Sequence, residues 1–346
     1  MPVAQTMPPK PEIAASADWL PHRYDPVRDA VHFHHIPRAL HRGATFLTDD
    51  HLPTTGTPAV IGSAEAMAAA QGVAGPIHYI FHSAYCCSTL LARAVDIDGV
   101  AMGLKEPVIL NDMVGWRHRG GAEASVKSRL DMALTLLARP FSPGEATVVK
   151  PSNLVNGLAP AMLDMRPGAR ALLLHAPLRA YLASIAKKGM WGRLWVRDLL
   201  IKLLKEGRVN LGIADDQYLA LTDIQVAAVG WLAQHDFFTR LARHYGPARV
   251  RTLDSETLLD RPAEVMVQLN ALFGLGLSAE AAGAIATGPA FTRHSKLGGD
   301  FGAEDHRAEN ETSADHHADE IEKVAKWAEA IAKTAGIEAA LPNPIL

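Results

Sequence analysis

Four short apolar runs recur along the middle of the chain, each followed by a segment of helical period. They are PIHYIF (76–81), EATVVK (145–150), ARALLLH (169–175) and RVRTL (249–253). Runs this short, apolar and partly β-branched suit strands covered on both faces. The segments 63–71, 88–97, 123–139, 152–165, 178–189, 222–246 and 261–275 instead repeat their apolar residues at helical spacing. Ser63 is placed to cap the first of these helices, and Pro262 sits in the first turn of the last. Strand alternating with helix is the pattern of βαβ units. The expected fold is therefore α/β, with a central parallel sheet and helices on both faces, as one domain rather than two.

The rest of the sequence bounds this core. The chain has 346 residues, 48% of them apolar and 21% charged, with a net charge of −3. That balance gives no pull toward nucleic acid. No apolar stretch is long enough to span a bilayer. Residues 1–16 are Pro-rich, lack the apolar core of a signal peptide, and are expected to be a floppy leader. Residues 17–62 are expected to form an irregular cap. Its His32, His34, His35 and His41 have no acidic or Cys partner at a ligand spacing, so no metal is expected. The α/β domain is placed at 63–300. Residues 301–346 are read as a charged loop and a helix near 318–335, packed on the same domain. Cys86 and Cys87 are adjacent and have no third cysteine to pair with, which makes the cytoplasm the default compartment.

Ligands of a parallel sheet bind beyond the carboxyl ends of its strands, and HSAYCCST (82–89) follows the first run there. Its successive N–H groups and those opening the next helix would face an anion, with Ser83, Ser88 and Thr89 adding hydroxyls. Against the phosphate loop G-x-x-x-x-G-K-[ST], the aligned residues are His82, Cys87, Ser88 and Thr89, and only the hydroxyl survives. Read alone, this loop is a weak motif that fits an ordinary strand–helix joint better than an anion site.

Two later blocks add to it. KPSNLVNGLAPAMLDMRPGARALLLHAPLRAYLASI (150–185) resembles the sulfotransferase pattern of strand-Lys, Pro-x-Asn, helix, apolar strand, R-D-P-R and a helix carrying Ser. VRTLDSETLLDRPAEVMVQLNALFGLGL (250–277) resembles that family's strand, E-D-L-L-x-x-P and F-L-G-L. The loop at 82–89 falls where the family has S-P-R-S-G-T-T-L-L, and the resemblance covers roughly residues 76–300.

The resemblance implies a P-loop NTPase-like three-layer sandwich. It also implies sulfuryl transfer from 3′-phosphoadenosine 5′-phosphosulfate (PAPS), as co-substrate and without a metal, to a hydroxyl or amine. The partners are then a nucleotide donor and a small-molecule or peptidyl acceptor, and a homodimer is left open. Ser83, Ala84, Tyr85, Cys86, Cys87, Ser88 and Thr89 would hold the 5′-phosphosulfate. Lys150 would approach the sulfonate or its bridging oxygen. Ser184 lies near the family's 3′-phosphate serine, and Arg293, Lys296 and Gly298 near a basic–glycine loop on the same phosphate.

The departures fall on cations. Tyr85 stands where the family has Arg or Lys, Cys87 where it has Gly, and His175 where R-D-P-R has its first Arg. The step from His175 to Ser184 is also one residue longer than the family's. Arg179 and Lys105 are the substitutes at hand, with Arg93 nearby. Glu106, just after a probable strand, is the first candidate base, and Asp112 the second. The turn Asp254–Glu256 is read as capping the next helix. Trp191, Trp195, Trp231 and Phe237 are read as core or lid, with an acceptor-pocket wall as the alternative. The basic amphipathic helix 192–208 is read as packed, with contact to a membrane or a partner as the alternative. Two other readings stay open: a nucleotide-dependent kinase, which lacks its Walker lysine, and a binding or scaffold protein that has lost catalysis.

Overall fold

Residues 17–62, expected to be irregular, carry strands in the computed structural model, which describes residues 7–53, 56–292 and 303–346. Strands β1 (Trp19–Asp25), β2 (Ala30–His35) and β3 (Ala59–Gly62) form an antiparallel sheet. Composition hid β2, because its outward positions are histidines. Val31 and Phe33 are fully buried while His32 and His34 are only partly so, the period-two pattern of a half-covered strand. The expected leader is helical over Lys10–Ala15, where Ile13 and Ala14 are buried. Arg139 fastens that segment by donating to the carbonyls of Ile13, Ala14, Ser16 and Trp19.

The second sheet contains β4 (Ile77–His82), β5 (Ala101–Lys105), β6 (Ala146–Lys150), β7 (Ala171–His175) and β8 (Val250–Asp254), in the order β5-β6-β4-β7-β8. It is the parallel sheet that the alternation implied, flanked by helices. β4 and β6 are buried at every position, as strands covered on both faces must be. The chain places β6 on one side of β4 and β7 on the other, so β4 is the strand where the winding changes direction. In open α/β sheets that is where ligands bind.

The chain divides into two compact units where one domain was expected. Met1–Tyr79 with Val95–Ala169 make the first, and Ile80–Ala94 with Arg170–Leu346 the second. Within the first, helix Ser63–Gln71 covers the expected residues, but its N-cap is Gly62 rather than Ser63. Helix Val108–His118, which the sequence pattern did not separate, follows β5. Within the second, Thr222 and Gln225 form a capping box that starts helix Asp223–Tyr245. Gly274, left-handed at φ 66°, ends helix Pro262–Phe273. The last helix runs over Ala303–Ala335, longer than the 318–335 expected, and its described part carries i,i+4 pairs such as Asp319–Lys323. Among the described residues no helix is long and apolar enough to cross a membrane.

Candidate functional site

The turn after β4 is built against the usual preferences of its residues. Ala84, Tyr85 and Cys87 have φ of 71°, 51° and 61°, in the left-handed region that favours glycine. Each costs about 1–2 kcal/mol relative to relaxed backbone. Cys87 thus makes the turn for which a glycine was expected. Left-handed residues in succession form the concave runs of N–H groups in which anions bind. The surroundings hold the turn in place. Ser83 donates its N–H to the Leu174 carbonyl (3.0 Å) and accepts the Ala176 N–H on its hydroxyl (3.4 Å). The Cys86 thiol also reaches Leu174 O, at 3.4 Å. Ser88 and Thr89, both buried, open helix Ser88–Ala94, whose first N–H groups have no acceptor within the helix.

The same turn is poor in cations. His82 accepts the Ala84 N–H on Nδ1 at 3.1 Å, so that nitrogen carries no proton. Tyr85, in place of a cation, meets Tyr181 and Trp195 edge-on, with centroids 6.0 and 5.4 Å away. Burial pushes the Tyr85 phenol above its ordinary range, which keeps it neutral. His175, at the end of β7, faces His235 at 5.6 Å, and burial lowers its pKa against the pull of Asp254. His235 stacks on Trp231 at 4.4 Å, and burial takes it down to about 4. Both imidazoles are therefore neutral at physiological pH.

The substitute cations are engaged elsewhere. Arg179 pairs with Glu322 (2.8 Å) and Glu329 (2.7 Å), tying helix Leu178–Lys187 to helix Ala303–Ala335. Lys105, buried at the end of β5, donates to the carbonyls of His41 and Arg42, both at 2.9 Å, and closes helix Arg38–Gly43. Arg93 occupies the last turn of its helix. Ser184 turns its hydroxyl back to the Ala180 carbonyl, at 2.9 Å. Arg293, Lys296 and Gly298 lie outside the described residues.

The first unit holds the charged counterpart. Lys105 and Lys150 are register partners, so β5 and β6 end level. Glu106 follows at φ 54°, left-handed although the next residue is a proline, which restricts it further. Its N–H donates to the Lys150 carbonyl at 2.7 Å, and its carboxylate forms an ion pair with the Lys150 ammonium. Lys150 is 1% exposed and Glu106 20%, so the carboxylate is the half of the pair that solvent reaches. The ammonium also lies 5.0 Å over the Phe46 ring.

Phe46 escaped the sequence reading. Its neighbour Leu47 shows how it is held, donating to the Lys105 carbonyl (2.7 Å) and accepting the Val108 N–H (3.2 Å). No periodicity in ATFL (44–47) signals that long-range pairing. Asp112, the second candidate base, instead accepts the Tyr24 N–H (2.9 Å) and pairs with Arg23 (2.8 Å). Asp254 caps helix Ser255–Asp260 through the Thr257 N–H, at 2.8 Å. Trp231 donates its indole N–H to Ala176 O at 2.8 Å, and Phe237 packs under Arg208 at 4.1 Å. Among the described residues no group of His, Cys, Asp and Glu could hold a metal ion.

No family model matches the chain, and no curated protein matches it. Among solved structures it is similar to the sulfotransferase domain from the curacin biosynthetic pathway, with 15% identity and a TM-score of 0.42. That likeness covers 78% of this chain and 99% of the other. It is similar to the sulfotransferase STF9 from Mycobacterium avium (13% identity, TM-score 0.41, 70% of this chain and 77% of that one). It is also similar to the sulfotransferase domain from the Synechococcus PCC 7002 olefin synthase (13% identity, TM-score 0.36, 71% and 96%). The α/β assignment itself rests on the strand order and registers given above.

Proposed function

We propose that the chain transfers a sulfuryl group from PAPS to a hydroxyl or amine acceptor. The observation that carries this reading is the Glu106–Lys150 pair. Two residues assigned separately, one as base and one as sulfonate cation, are ion-paired at the level ends of adjacent parallel strands. The base is held there in left-handed backbone. Strain of this kind persists where surrounding structure enforces it, and such places concentrate at functional sites.

The chemistry needs few groups, because positioning and charge neutralisation dominate transfers of this type. The acceptor's O–H or N–H proton passes to a Glu106 oxygen. The acceptor's electron pair forms the new bond to sulfur. The bond from sulfur to the bridging oxygen breaks, and that oxygen leaves with its electron pair on the 5′-phosphate. Lys150 exchanges its pairing with Glu106 for the charge developing on that oxygen, which leaves Glu106 free to take the proton. Separately, in the second unit, the N–H groups of residues 85–89 and the hydroxyls of Ser88 and Thr89 would hold a phosphate.

A second reading is favoured by one observation. The turn after β4 is surrounded by neutral groups, Tyr85 and His175, where a donor site needs cations. On that reading the chain binds a nucleotide, or another protein, without catalysis. Titration calorimetry with 3′,5′-diphosphoadenosine, paired with a transfer assay using PAPS, separates the readings. Saturable binding with turnover that Lys150→Ala abolishes supports transfer, and binding without turnover supports the second reading. No binding at millimolar nucleotide removes transfer, and binding of ATP with Mg²⁺ in its place points to a kinase.

A further inference from the structure

Helix Gly189–Lys205 carries an apolar face that the second unit does not cover. Val196, Leu199 and Leu200 are buried on one side. On the other, Met190 is 71% exposed, Trp191 61%, Leu194 60% and Ile201 52%. Met190, Leu194 and Ile201 fall within about 40° of one another around the helix, and the stripe is roughly 16 Å long. The orientation is fixed by Gly192. A Cβ there would meet the Ile185 carbonyl at 2.6 Å, so the bare glycine lets this helix close on helix Leu178–Lys187 and turns the stripe outward.

Charge says what covers this face. Residues 187–208 contain seven Lys and Arg against two acidic residues, in a chain whose total charge is −3. Some of these cations serve the fold: Arg197 pairs with Asp223 at 2.5 Å, and Lys202 pairs with Asp198. Lys188 and Lys205 are exposed at the two ends of the stripe. A second copy meeting this face across a two-fold axis would set those lysines against their own kind. Trp, Leu, Ile and Met on one face with lysines at its margins is the pattern of a helix lying in an anionic membrane interface.

We infer that the outward face of helix Gly189–Lys205 docks on an anionic lipid surface, with Met190, Trp191, Leu194 and Ile201 entering the headgroup region and Lys188 and Lys205 on lipid phosphates. This inference is independent of the transfer reaction proposed above. It concerns contact in the plane of the interface, not passage through it.

Vesicle flotation of the full chain tests it. The chain floats with vesicles containing phosphatidylglycerol, stays behind with phosphatidylcholine alone, and is released by raised salt. Replacing the stripe (Met190→Ser, Leu194→Ser, Ile201→Ser) lowers partitioning on the order of a hundredfold. Replacing the lysines (Lys188→Gln, Lys205→Gln) lowers it about twenty-five-fold, because each lysine near an anionic surface contributes about fivefold. Unchanged thermal unfolding of both variants keeps the reading on the surface. Failure to float, or flotation indifferent to both sets of substitutions, overturns the inference. So does a wild-type dimer in sedimentation that the Ser variant converts to monomer, which would assign the face to a second copy.

Discussion

Glu106 and, in the turn after β4, Ala84, Tyr85 and Cys87 hold left-handed backbone at residues with a Cβ, each just past the end of a parallel strand. They differ in what the strain supports. Past β5 it keeps a carboxylate against a buried ammonium. Past β4 it shapes a turn beside neutral aromatic and imidazole rings. On the proposal above, the first region acts through side chains, whose residue types can be read from the sequence. The second acts through peptide groups, and its residue types conceal it.

That difference can be broken at four points. The largest effect is expected at the charged pair. Lys150→Ala removes the partner of Glu106 and lowers turnover by roughly a thousandfold, the scale of losing one preorganised transition-state contact. Steady-state rates check this, and wild-type kinetics would remove Lys150 from the mechanism.

The second effect sets the neutral rings against acid. His235 is uncharged in the folded chain, with its pKa held down to about 4, and titrates near 6.5 when unfolded. Between those values the unfolded chain binds more protons. Stability is therefore complete above pH 6.5 and is lost as the pH falls toward 4, by on the order of 3 kcal/mol. Denaturant midpoints at either end of that window measure the loss. His235→Phe, which keeps a ring against Trp231, should reduce it. His41, in the first unit, is also lowered by burial, to about 3, and its contribution should survive in that variant.

The third restores a missing charge. Tyr85→Arg places a guanidinium between the Tyr181 and Trp195 rings, where it can stack, and returns a cation to the turn. Calorimetry should show about tenfold tighter diphosphoadenosine binding, the lower end for a charge-assisted contact. The smallest effect is at Cys87→Gly, which relieves left-handed strain at φ 61° and should raise stability by about 1 kcal/mol in thermal unfolding.

The parallel sheet was legible because its buried strands leave uninterrupted apolar runs, as ATVVK and ALLLH do. The antiparallel sheet was not, because the outward histidines of β2 and Pro21 within β1 made the segment look irregular. Lys150 and Glu106 could be named from the sulfotransferase resemblance, but their pairing could not. Lys105, a candidate substitute cation, has its ammonium on the carbonyls of His41 and Arg42. Arg179 had been weighed as a donor-site cation, before helix Ala303–Ala335 supplied Glu322 and Glu329 to hold it. Both misses are long-range pairings, which local pattern does not encode. The left-handed turn was hidden for another reason. Glycine is the usual mark of that conformation, and here Ala84, Tyr85 and Cys87 adopt it under tertiary constraint.

The central claim is that the turn after β4 binds the donor's 5′-phosphate through its backbone. Electron density from a crystal soaked with 3′,5′-diphosphoadenosine tests it most directly. The account predicts the 5′-phosphate within hydrogen-bond distance of the N–H groups of residues 85–89, with the Ser88 or Thr89 hydroxyl as a further donor. A nucleotide bound elsewhere, with this turn making no contact to phosphate, would contradict it.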